Sequence, residues 1–271
     1  MSDPHTRRER GLEVLSRLSG SEEGGQGLVG FLDSLGAVGH MAIQTGAGEV
    51  WSRTQISRRD RSLVVISMLT ALGRELELHQ HIPGGLHHGL ARDEIDEIMV
   101  QVGVYAGLPF ALAGAGIAAK VFAELDGTEQ RAIPAAPAES KDDEKRREDG
   151  KEVLRTLLGM PTGTDMEFAA TATVEQLGDM GELVLDYAFG DVWSRPQLSR
   201  RDRSLVVISV LTALSLPNEL EIHLRGALHH GVTRDEIEEV MVTAVVYGGF
   251  PRAIDGIHLA RKVFAAADSS T

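Results

Sequence analysis

Two glutamate–histidine pairs in this chain have the spacing of proton-transfer machinery. One is Glu219 with His223, in Glu219-Leu220-Glu221-Ile222-His223; the other is Glu77 with His81. On a helix, residues four apart lie one turn from each other on the same face. A carboxylate beside an imidazole raises the histidine pKa and selects its tautomer, which suits general acid–base work. A solvated surface pair has the same spacing, so spacing alone leaves both readings open. Both members recur in both places while their neighbours differ: His79 stands where the other stretch has Glu221, and Gln80 where it has Ile222. His87-His88 and His229-His230 follow in each case. Glu219, His223 and His230 share a helical face, but eleven residues at 1.5 Å rise separate the first from the last by about 16 Å. That is too far for one ion, so no metal site is expected. The paired histidines suit the C-terminal end of a helix, where they offset its dipole or pack.

Arginines form the second cluster: Arg58, Arg59 and Arg61, matched by Arg200, Arg201 and Arg203. In an acidic chain such a patch can grip a substrate carboxylate through a bidentate guanidinium, or it can pair with neighbouring Asp60 and Asp202. Arg61 and Arg203 abut an apolar run and are the better candidates to face a pocket. Arg225 lies two residues past His223, where the other stretch has Pro83. The chain has no cysteine, so thiol chemistry and disulfides are excluded. It has no glycine-rich nucleotide loop and no G-x-S-x-G elbow.

These groups are positioned by a duplicated scaffold. Residues 51–123 align with 193–265 without a gap, 142 positions apart, and 45 of those 73 positions are identical. An upstream echo, Gly11-Leu12-Glu13-Val14-Leu15 against Gly150-Lys151-Glu152-Val153-Leu154, extends the repeat at an offset of 139. A first domain over 1–125, a linker over 126–149 and a second domain over 150–271 follow, with the charged end of the linker able to open the next helix. Each copy reads as all-α. Ser57 and Ser199 stand three residues before Asp60 and Asp202, as in a capping box, and an apolar run suited to a buried helix follows. Thr233 caps another helix where the first copy has Ala91, and Gly89 and Gly231 suit left-handed helix ends.

The whole chain has 271 residues, 42% hydrophobic and 25% charged, with a formal charge of −13. That charge repels phosphate backbones and anionic lipid, so no nucleic-acid or membrane partner is expected. No apolar run is read as long enough to span a bilayer, the N-terminus has no apolar signal core, and a cytoplasmic location is the expectation.

The blocks WSRPQLSRRDRSL, NELEIHLRGALHHGVTRDEIEEVMV and VVYGGFPRAIDGIHLARKVF together resemble the carboxymuconolactone decarboxylase family. The resemblance covers nearly all of each half. It implies a tandem duplication of the all-helical alkylhydroperoxidase-like domain, pockets near subunit contacts, and ring assembly. Two fused copies then imply a homotrimer with a pseudo-hexameric ring. The peroxidase branch carries C-x-x-C-x-x-x-H; here Leu216 and Glu219, or Arg74 and Glu77, hold the cysteine positions, which excludes thiol peroxidase activity. The decarboxylase pattern E-L-x-x-H followed by A-x-x-x-G is complete in the second copy, whereas the first has Gly85 for the alanine. By this resemblance the reaction is cofactor-independent loss of CO2 from a lactone or related carboxylic acid, as in aromatic-compound catabolism. Glu219 and His223, with Glu77 and His81, would then carry proton transfer. Arg203, Arg225 or Arg61 would hold the carboxylate, and Tyr247 or His230 would hydrogen-bond the lactone oxygen. A cofactor-free isomerase, cyclase or hydratase, or a binding protein without turnover, are the alternatives.

Overall fold

A computed structural model describes residues 4–129 and 140–269, and all the regular structure in them is helical. The first half runs α1 (Pro4–Ser19), α2 (Glu22–Ser34), α3 (Ala37–Met41), a π-helix π1 (Ala42–Trp51), α4 (Arg58–Ala71), α5 (Glu75–His87), α6 (Arg92–Tyr105) and α7 (Leu108–Asp126). The second repeats this order as α8 (Asp143–Leu157), α9 (Glu167–Leu177), α10 (Asp179–Leu183), π2 (Val184–Trp193), α11 (Arg200–Leu214), α12 (Pro217–His229), α13 (Arg234–Tyr247) and α14 (Phe250–Ser269).

The expected caps are in place. Ser57 Oγ accepts from the Asp60 amide at 3.0 Å and Ser199 Oγ from the Asp202 amide at 3.1 Å. Thr233 and Glu236 close a full capping box, whereas at Ala91 only the return bond from the Ala91 amide to Glu94 is made, at 2.8 Å. Gly89 and Gly231 take φ of 100° and 86°, which a side chain disfavours.

The apolar runs after Ser57 and Ser199 become α4 and α11, which pack against each other at the centre of the molecule. Each is covered by its own half and by the other, which is why it is apolar almost all round; Leu63–Ile66 and Leu205–Ile208 are fully buried. Their buried hydroxyls are satisfied inside the helix, Ser67 by the Leu63 carbonyl at 2.7 Å and Thr70 by the Ile66 carbonyl at 2.8 Å.

The charged end of the expected linker does open the next helix, and one departure from the sequence expectations stands out. Helix α8 begins at Asp143, well inside the stretch read as linker. Asp142 caps it, and Lys145 pairs with Asp149, Arg146 with Asp191 and Arg147 with Asp186. The charge run is a paired helix; residues 130–139 of the expected linker lie outside the described residues. Helix α7 is long and apolar enough to cross a membrane by length and composition, contrary to the reading that no such run exists. In this fold it packs on α4, α5 and α6, as the matching α14 packs on α11, α12 and α13.

The π-helices are the elements that sequence periodicity missed. Each lies against the first long helix of its half, π1 on α1 and π2 on α8. The close approach needs glycine: a Cβ on Gly11 would come within 2.4 Å of the Ile43 carbonyl oxygen, and one on Gly150 within 2.1 Å of that of Leu185. These are the glycines that begin the upstream echo.

Candidate active site

Each π-helix ends on a tryptophan, and each tryptophan reaches a tyrosine of the other half. Trp51 Nε1 donates to Tyr247 Oη at 2.8 Å, and Trp193 Nε1 donates to Tyr105 Oη at 2.7 Å. The histidines of the Glu–His pairs fit between these rings. His81 stacks on Trp51 with centroids 5.7 Å apart and meets Tyr247 edge-on at 5.4 Å. His223 stacks on Trp193 at 5.8 Å and meets Tyr105 edge-on at 5.1 Å. In the first half the chain of polar contacts continues, with Tyr247 Oη 3.3 Å from His81 Nε2. The site is therefore composite: Trp and His come from one half and Tyr from the other.

Burial shapes the electrostatics. It pushes the His81 pKa down to about 4 and that of His223 to about 3, and it pushes Tyr247 and Tyr105 up from their ordinary value of 10. Both imidazoles are neutral and both phenols protonated near pH 7. With Trp51 donating to Tyr247 Oη, the phenol keeps its own proton free to donate, and the His81 tautomer sets which way the Tyr247–His81 contact runs. His223 Nδ1 is buried without a hydrogen-bond partner among the described residues.

A cavity of about 510 Å³ opens over His81. Helices α1, α2 and π1 supply an apolar wall that includes Leu28, Phe31 and Ala47, while Glu77, Gln80, His81 and Tyr247 supply polar groups from α5 and α13. The complete decarboxylase pattern lies in the second copy, yet this cavity belongs to the first. Pro83, the residue replacing an arginine there, lines it.

The other expected site residues sit in varied surroundings. Glu77 borders the cavity and Glu219 is exposed on α12, but no hydrogen bond joins either to its histidine. The imidazoles turn inward onto tryptophan while the carboxylates remain toward solvent. Arg61 and Arg203 do not line the cavity over His81. Both are fully buried, and each crosses to the other half: Arg61 to Glu239 at 2.7 Å and Thr243 at 2.8 Å, Arg203 to Glu97 and Gln101 at 2.7 Å. Arg53 and Arg195 add a second guanidinium to those carboxylates at 2.9 Å. Arg225 is exposed and pairs with Glu221 one turn back on its own helix. Tyr247 does reach a pocket, but that of the other copy. His230 also meets Trp193, with centroids 5.7 Å apart, and is bonded to Ser204 at 2.8 Å and Thr156 at 3.1 Å, as His88 is to Ser62 at 2.8 Å. The remaining pair, His87 and His229, bond the Leu18 and Leu157 carbonyls at 2.9 Å and pin the helix ends.

Sequence reasoning missed the tryptophans. Their repetition at the 142-residue offset was a signal, but no local rule links Trp51 to a tyrosine 196 residues away.

Comparison with known proteins agrees with the duplication of the domain. The profile of the carboxymuconolactone decarboxylase family matches twice, over residues 37–120 and 178–262. The chain is 38% identical over 126 residues to 4-carboxymuconolactone decarboxylase of Acinetobacter baylyi, a match that spans 45% of this chain and 89% of that protein. It is 40% identical over 81 residues to nitrosuccinic acid decarboxylase of Metarhizium robertsii, spanning 30% of this chain and 57% of that protein.

Proposed function

Because the chain belongs to the carboxymuconolactone decarboxylase family, with the family domain present twice, we propose that it is a carboxy-lyase that releases CO2 from an unsaturated lactone or related small carboxylic acid. The two relatives named above are both decarboxylases. The observation that carries the reading is the cavity over His81, with Tyr247 reaching in from the other half.

When the substrate C–C bond to its carboxylate breaks, the electron pair moves into the unsaturated lactone as a dienolate. The Tyr247 hydroxyl, held protonated by burial and oriented by Trp51, donates toward that developing charge. In an apolar cavity such a donor is worth more than in water. A proton must then replace the lost CO2, and neutral His81 beside Tyr247 relays it between solvent and the carbanion carbon. The substrate itself acts as the electron sink, so these steps call on no cofactor.

Incubation with 4-carboxymuconolactone, following CO2 release and the enol-lactone product, tests the reading. Turnover that depends on His81 supports it. Consumption without CO2 would instead support a second reading, isomerisation by the same proton relay. That alternative is favoured by one observation: among the described residues, no arginine or lysine lines the cavity.

Assembly as a homotrimer with six family domains in a ring belongs to the same proposal. It is supported by matched apolar exposures in the two halves: Leu35, Val38 and Met41 around α3, and Leu177, Met180 and Leu183 around α10. Each set is uncovered within a single chain.

A further inference from the structure

The two halves are built alike but their sites differ in the residues that would meet a ligand. At the 142-residue offset, Ala47 on π1 corresponds to Phe189 on π2, Gln80 to Ile222, and Pro83 to Arg225. All three first-half residues line the cavity. Ala47 is buried and Phe189 is buried, so the exchange at this position changes interior volume by most of a phenyl ring. The first half has kept the small residue, and the space is lined by Leu28, Phe31 and Leu32 of α2 together with Val14 and Leu18 of α1.

The charge of the lining points the same way. Glu77 is the one acidic side chain in its lining among the described residues, with no arginine or lysine beside it, while burial keeps His81 neutral and Tyr247 protonated. The arginines that could have balanced a polyanion are taken up elsewhere, Arg61 and Arg203 between the halves and Arg225 with Glu221. A ligand with two carboxylates would bring an unpaired charge against Glu77 and an apolar wall. A volume of about 510 Å³ falls within the range of roughly 300–1,000 Å³ that holds drug-sized molecules.

We propose that the first-half cavity takes a lactone or related carbonyl compound with an extended apolar body and at most one ionised group, and that the small side chain of Ala47 makes room for that body. This rests on reading the cavity over His81 as the substrate site, and it names the class of molecule that site selects.

The test uses the full chain and a neutral homologous series: γ-butyrolactone, γ-hexalactone, γ-octalactone and γ-decalactone, titrated by calorimetry. Kd should fall about fourfold per added methylene as the tail enters the apolar wall, with one site per chain. Ala47→Phe, which copies the second half, should abolish the gain beyond γ-hexalactone. 4-Carboxymuconolactone, measured by competition under conditions without turnover, should bind at least tenfold more weakly than γ-octalactone. A flat series in the native protein, or equal binding of the carboxylated lactone, would overturn the proposal. So would a series that Ala47→Phe leaves unchanged in a variant of native melting temperature. Should that variant fail to fold, the native series and the competition still decide. Binding requires no turnover, so loss of CO2 release with a steep series removes only the decarboxylase reading, and CO2 release with a flat series removes only this one.

Discussion

In the proposed reaction two residues at the first-half site divide the labour, and each is testable. His81→Ala should lower kcat by roughly 100-fold or more with the helical signal intact, the usual scale for losing a positioned acid–base group. Tyr247→Phe keeps the ring against His81 but removes the hydroxyl, so kcat should fall by a similar factor while KM changes little. Tyr105→Phe and His223→Ala supply the paired measurement for the second half. If turnover follows the cavity over His81, the second-half variants retain most of it; the reverse ranking would move the chemistry to His223. The pH profile follows from burial. Because His81 is depressed to about 4, its imidazole stays neutral from pH 8 down to 5. The acid limb of kcat/KM should therefore fall near pH 4, well below the 6.5 of an ordinary histidine, measured within the range where the fold persists.

At the scale of elements, the contact between α4 and α11 holds both composite sites together. Glu97 and Glu239 are each 1% exposed and each meets two arginines of the other half. Removing one partner of a buried ion pair leaves a charge without compensation and typically costs about 3–5 kcal/mol. Glu239→Gln should therefore shift the urea midpoint markedly downward, and because α13 carries Tyr247 it should also weaken the Trp51–Tyr247 contact. Near-native stability in that variant would show the pair to be dispensable. Arg61 and Arg203 were read as carboxylate ligands because a guanidinium beside an apolar run fits a pocket mouth. It fits an interface between halves equally well, and only the packing of α4 on α11 and α13 distinguishes the two.

For the molecule as a whole, four histidines titrate against the fold. His81, His88, His223 and His230 are all lowered, to between about 3 and about 4, chiefly by burial. Unfolded, each binds its proton near pH 6.5, so the unfolded state holds more protons throughout that interval. Stability is then complete above pH 6.5 and declines as pH falls toward 4, below which the folded histidines also protonate and this contribution to the decline ends. Denaturation midpoints between pH 8 and pH 4 check the trend; a flat curve would mean the sites are wetter than this packing implies. Assembly is read by light scattering after size exclusion. The trimer is expected near 88 kDa, three times 29.2 kDa, whereas a clean monomer at micromolar concentration would leave the apolar faces around α3 and α10 uncovered.

What the amino-acid order determined by itself was the local and the repeated. The caps at Ser57 and Ser199, the helix ends at Gly89 and Gly231, the apolar run of α4 and the duplication are written in short spacings, each satisfied by residues within a turn or two. The pairing of Glu219 with His223 was equally legible and did not form, since four-residue spacing places two side chains on one face without saying that they will turn toward each other. Tertiary structure decided the rest. It turned His81 and His223 onto tryptophans and placed Tyr247 over the cavity of the opposite half. It also drew Arg61 and Arg203 into the contact between halves. Those choices depend on which surfaces two similar domains bury against each other, and the partners are separated by as many as 196 residues. No periodicity within one helix encodes that distance; burial of α4 against α11 does.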